Sequence, residues 1–153
     1  MHVPFRGVSR FLIAAFVLVS MRCDVRSPVA DSRTGTVRFF TDRTLYASSD
    51  TLLVSLENDE QSPITVGLRC GTYLEMVYQR WNAQEWSESL NFPYRSLLCP
   101  TVLDTIGARK TMTISLGAHT FDSTGTFRLI ANIQNQSQNG AVQVVSNPFN
   151  IQE

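Results

Sequence analysis

Cys23, Cys70 and Cys99 are the three cysteines of this chain, and His119 stands three residues before Asp122 and four before Ser123. These are the residues whose types and spacing could do chemistry. A serine nucleophile needs a histidine base, and His119 is the one histidine outside the first 22 residues. Triad partners meet in space, and three residues of one loop rarely do so productively. His119 therefore reads as a solvated loop residue, and no catalytic set is assigned. Glu85 and Glu88 have opposite strand parity, hence opposite faces, which argues against joint acid and base work. Asp59 and Glu60 could offer oxygen ligands to calcium but lack the acid spacing of an EF-hand loop, so "NDEQSP" reads as a polar turn. The cysteines and histidines show neither CxxC nor HxxxH spacing, and no metal or cofactor is expected.

Charge removes further classes. Without residues 1–22, ten basic side chains face thirteen acidic ones, a net charge of about −3. Such a balance offers no electrostatic footprint for nucleic acid or anionic lipid, so no nucleic-acid partner is expected. Lys110 is the only lysine, and no glycine-rich phosphate cradle is present. Non-enzymatic function is the expectation.

The first 22 residues read as a signal peptide. Arg6 and Arg10 precede "FLIAAFVLV", Phe11 to Val19, an unbroken apolar run of about nine residues. A charged segment followed by a short apolar one is the secretory pattern. At 1.5 Å per residue the run covers less than half of a ~30 Å hydrocarbon core, too little for a permanent span. Cys23 then sits where bacterial lipoprotein signals place the cysteine that becomes the acylated N-terminus, which implies membrane anchoring through lipidated Cys23. The match is partial, since Arg22 stands where those signals carry Gly, Ala or Ser. Unacylated secretion remains the rival reading.

An exported chain matures in an oxidising compartment, where Cys70 and Cys99, each beside strand-like sequence, read as a disulfide. That pairing leaves Cys23 as the odd cysteine, which an acyl anchor would explain. Residues 23–35 are polar and aperiodic, a linker, and 36–153 form the domain. There, short β-prone runs alternate with turn residues about every ten positions, and about seven strands and no helix are expected. In "TLLVSLEN" Leu52, Val54 and Leu56 share one face. In "ITVGLRC" Ile64, Val66 and Leu68 do so, and in "YLEMVYQ" Leu74, Met76 and Tyr78. "WNAQEW" reads as a hairpin turn. Asn135 to Ser137, "NQS", matches a glycosylation sequon, which has meaning only in a eukaryotic secretory pathway, whereas the leader has a bacterial character.

The stretches "YASSDTLLVSLEND", "CGTYLEMVYQRWNAQEW" and "LGAHTFDSTGTFRL" occur in an order that resembles bacterial immunoglobulin-like envelope domains. The layout is also similar to that of the intracellular proteinase inhibitor domain. The resemblance implies a single antiparallel Ig-like or fibronectin III-like β-sandwich. Phe127 stands where such domains often carry a tyrosine corner, and it has no hydroxyl to make that bond. Ig-type sandwiches often bury one tryptophan against the disulfide, so Trp81 or Trp86 is expected in the core. An exposed one, with Tyr78 nearby, would make an aromatic surface for an unknown protein or glycan partner. The expectation is an envelope-associated binding or accessory module. The alternative is a proteinase inhibitor-like domain that presents the rigid loop Ser89 to Pro100 to a protease.

Overall fold

The computed structural model describes residues 33–34, 37–135 and 140–153. The apolar leader, Cys23, most of the linker and Ser137 lie outside them. The strands of the first half are β1 (Arg33–Thr34), β2 (Val37–Thr41), β3 (Leu45–Ala47), β4 (Thr51–Asn58), β5 (Ile64–Arg69), β6 (Tyr73–Leu74) and β7 (Met76–Arg80). Those of the second half are β8 (Leu90–Asn91), β9 (Thr101–Ile106), β10 (Lys110–Gly117), β11 (Gly125–Asn135), β12 (Gly140–Val145) and β13 (Phe149–Gln152). Two short 3₁₀ turns, Pro93–Ser96 and Ala118–Thr120, interrupt them.

The all-β expectation holds, and antiparallel pairing dominates. One sheet has the order β1-β2-β4-β10, and the other gathers nine strands around the eleven-residue β11. Three details depart from the simplest expectation. Strand segments outnumber the seven foreseen, and β3 pairs with β13 in parallel, Tyr46 opposite Ile151. Pairing also begins at Arg33–Thr34, inside the segment read as linker.

Burial follows the period-2 pattern, because successive strand side chains point to opposite faces. Val37 and Phe39 of β2 and Leu52, Val54 and Leu56 of β4 are buried from the first sheet. Ile64, Val66, Met76, Tyr78, Phe127, Leu129 and Ile151 are buried from the second, and both sets join one core. Truncating wholly buried Phe39 to alanine is expected to cost about 3–5 kcal/mol.

The strand "YLEMVYQ" is broken at Glu75 for a reason in its pairing. β6 pairs with β5, whereas β7 pairs with β11. Glu75 is the crossing point, its N–H donating to the Gly67 carbonyl at 2.8 Å. The β5–β6 hairpin turns at Cys70-Gly71, both at positive φ (55° and 70°), with the Thr72 N–H donating to the Arg69 carbonyl. Glycine takes that conformation without strain, and the type I′ hairpin turn requires positive φ at both central positions.

Candidate functional site

The segment Ser89–Pro100 is fixed at several points. β8 pairs with β7, Leu90 opposite Tyr78. Phe92 follows, buried to 1% exposure, its ring 4.9 Å from Tyr78 and 5.3 Å from Phe121. Pro93 then starts a 3₁₀ turn, a place where its missing N–H costs nothing. The Tyr94 hydroxyl donates to the Leu74 carbonyl at 2.8 Å, and its ring stacks on Tyr73 at 5.0 Å. Burial first, and then the charge of Glu75, push the Tyr94 phenol far above its ordinary range, so it stays a neutral donor.

Glu75 and two arginines latch this turn to the sheet. The Arg69 guanidinium donates to the Arg95 carbonyl at 2.9 Å, and Arg95 reaches the Glu75 carboxylate at 3.7 Å. Thr101 donates to the other Glu75 oxygen at 2.7 Å. Cys99 is bridged to Cys70 with Cα atoms 5.1 Å apart, and the Cys70 N–H donates to the Pro100 carbonyl at 3.0 Å. The expected disulfide is therefore present in the structure. Between these anchors Leu97 is extended (φ −64°, ψ 138°) and 42% exposed, and Leu98 is wholly exposed at 104%. A fully solvated leucine on a segment clamped at both ends has no packing role in the folded domain.

The tryptophans sit elsewhere. Trp81 and Trp86 face each other as an isolated antiparallel bridge closing the turn Asn82–Glu85. Asn82 donates to the Glu85 carbonyl and Ser87 to the Arg80 carbonyl, so the Trp pair occupies a non-hydrogen-bonded position, where side chains come closest. Asn82 Oδ1 accepts from the Glu85 N–H at 2.9 Å, and Ala83 takes φ 74°. The turn resets the faces that a regular strand would keep opposite. Both indoles are half-buried rather than one in the core and one in solvent. The Arg128 guanidinium lies 4.3 Å over the Trp86 ring and donates twice to Gln79 Oε1.

Tyr78 is not part of that surface. It is 2% exposed, because its β7 parity matches Met76 and places it among Phe92, Phe121 and Phe127. Its hydroxyl donates to Asp122 at 3.0 Å. Burial first, then the hydrogen bond to Asp122, raise its phenol to about 12. Asp122 is thus engaged by a tyrosine, while His119 is exposed on its short turn with its ring against Gly117. His119, Asp122 and Ser123 line one open cleft. Asp59 reaches Arg38 Nε at 3.5 Å, and Glu60 donates its N–H to Asn58 Oδ1. Among the described residues no three metal-ligating side chains cluster.

Sequence reasoning named the loop Ser89–Pro100 but not Leu98, nor Glu75, Arg69 and Arg128. Consecutive leucines directly before a cysteine, Leu97 and Leu98, were the available signal for Leu98. Compared with known proteins, the chain matches no protein-family model and no curated protein.

Proposed function

We propose that this chain is a non-enzymatic binding or accessory module of the cell envelope. It is exported by its leader, held to a membrane by lipidated Cys23, and built as an Ig-like β-sandwich. It recognises a protein partner through the Ser89–Pro100 loop. The observation that carries this reading is Leu98: a wholly exposed leucine framed by a disulfide, two buried or stacked aromatic rings and a salt-bridged latch. A loop already ordered before contact loses little entropy on binding, so most of its contact energy appears as affinity. Leu98, held beside the bridged Cys99, is the apolar anchor that such a loop offers to a partner's pocket at little ordering cost.

The test is a photo-crosslinker at position 98 of the full chain in cells of the source organism. One discrete adduct, lost on Leu98→Asp in the crosslinkable Leu97 version, supports the reading. No adduct in either version opposes it. For the anchor, Cys23→Ser should move the protein from the membrane to the soluble fraction, since acyl chains contribute about 0.8 kcal/mol per buried CH₂.

The extended backbone at Leu97 favours one narrower version, in which the partner is a protease and Leu98 fills its specificity pocket. Inhibition of a panel of serine proteases, with the loop recovered uncleaved and potency lost on Leu98→Asp, would support it. Absence of inhibition leaves the broader protein-binding reading to the crosslinking result.

A further inference from the structure

A second surface lies on the outer face of the nine-stranded sheet. The break between β6 and β7 opens a cleft of about 300 Å³ whose lining includes Gly67, Glu75, Arg95, Asn132 and Gln134. Gly67 keeps its floor open: a Cβ there would stand 3.0 Å from Thr101 Cγ2 and 3.3 Å from Glu75 Cγ. The volume is at the lower end for ligand pockets, about 300–1,000 Å³, enough for one small ring.

The charged groups of this cleft are already spoken for, with Glu75 set between Arg69 and Arg95. Its uncommitted polar groups are neutral. Asn132 and Gln134 are exposed, on one face of β11, roughly 6.6–6.8 Å apart by strand rise. Neither side chain makes a hydrogen bond within the described residues. Each amide offers both donors and an acceptor, and so matches a hydroxyl, which also does both.

The same face continues along β7. Met76 and Tyr78 point inward, so Val77 and Gln79 point outward, with Gln79 opposite Arg128 across the ladder. Arg128 covers the Trp86 ring, which sets the Trp81–Trp86 pair on this outward side. From Glu75 to Trp81 is six residues, roughly 20 Å of strand, too far for one ring to reach both ends. Asn91, opposite Val77, adds another exposed amide between them.

We propose that this face binds a polysaccharide, one sugar ring seated over Gly67 against Asn132 and Gln134 and the chain running along β7 to the tryptophan pair. Neutral hydroxyls suit neutral amides, and the apolar C–H face of a sugar ring suits the half-buried indole of Trp81, since Arg128 already covers Trp86. The surface excludes Leu98, although Asn91 and Arg95 of the loop border it, and its test changes residues of β11 outside the loop.

The experiment titrates the full chain with cellohexaose, chitohexaose and an oligogalacturonate, followed by tryptophan fluorescence and calorimetry, and screens an immobilised polysaccharide array. The expected result is saturable binding of a neutral sugar chain that shifts the fluorescence. The double variant Asn132→Ala, Gln134→Ala should weaken it at least about tenfold, 1.4 kcal/mol, with an unchanged melting temperature. Leu98→Asp should bind the sugar as well as the parent protein. Three results would overturn the proposal: no binding to any probe or array member, undiminished binding by the double variant, or binding of the oligogalacturonate alone that depends on Arg95 and not on the amides.

Discussion

The Trp81 and Trp86 rings meet edge to face, with centroids 5.3 Å apart and planes at 60°, across the closing pair of a short turn. Rings placed this way interact beyond their buried area by about 0.5–1.5 kcal/mol. Trp81→Ala and Trp86→Ala should therefore each lower the melting temperature, by about 4 °C for each kcal/mol lost. A double-mutant cycle should return a coupling of about 0.5–1.5 kcal/mol between them. Coupling indistinguishable from zero would show that the rings act independently.

Tyr78 gives an alkaline signature. Its phenol is raised to about 12 by burial first and by Asp122 second. In the unfolded chain a tyrosine titrates near 10. The stabilisation from a neutral, buried Tyr78 is thus complete below about pH 10 and is lost as pH rises from there towards about 12. Tyr78→Phe should cost about 1.5–3 kcal/mol at neutral pH, the range for a hydrogen bond to a charged group. It should also flatten this part of the alkaline loss, measured by urea unfolding at pH 8 and pH 11. An alkaline profile unchanged by Tyr78→Phe would contradict the assignment.

Much of the core was legible because a half-buried strand imposes a strict period of two. Leu52, Val54 and Leu56, then Leu74, Met76 and Tyr78, are buried as their alternation requires. The same alternation already spoke against Tyr78 as a surface residue, and the structure sides with it. Features set by pairing were not legible. The break at Glu75 comes from a change of partner strand, from β5 to β11, which no local pattern reports. The Trp faces depend on a four-residue turn that shifts parity between Trp81 and Trp86. Leu98 was hidden for a different reason: an apolar residue in a sequence is expected inside, and only the anchored positions around it force this one out.

Asp42 supplies the acid counterpart. Burial on its own would raise its carboxyl, but the Tyr46 hydroxyl, the Leu53 N–H and the neighbouring Arg43 outweigh it, and the net shift is downward. The Tyr46 hydroxyl donates to Asp42 Oδ1 at 2.7 Å and the Leu53 N–H at 2.8 Å, tying β4 to the turn after β2. A depressed carboxylate contributes stability above its unfolded value, about 3.9, which is lost as pH falls through the folded one. Asp42→Asn should cost about 1–2 kcal/mol at pH 7 and narrow the gap to the parent protein below about pH 4. A gap that stays constant from pH 7 to pH 3 would show that the charge of Asp42 plays no part.

The bridge between Cys70 and Cys99 closes a loop with a sequence separation of 29. In the chain-entropy account, opening a loop of that length lowers stability by roughly 3.5 kcal/mol, which sets the expected cost of Cys70→Ser with Cys99→Ser. Cys70 also holds φ 55°, a left-handed conformation that disfavours any side chain by about 1–2 kcal/mol. Glycine at that position has no such penalty. Cys70→Gly with Cys99→Ser should therefore unfold at a higher urea concentration than the double serine variant, by about 1 kcal/mol at equal slope. If the glycine version is no more stable than the serine version, the turn has rearranged once the bridge is gone. Leu98 would then have lost its frame in both variants, and any crosslink formed from position 98 should fall in proportion.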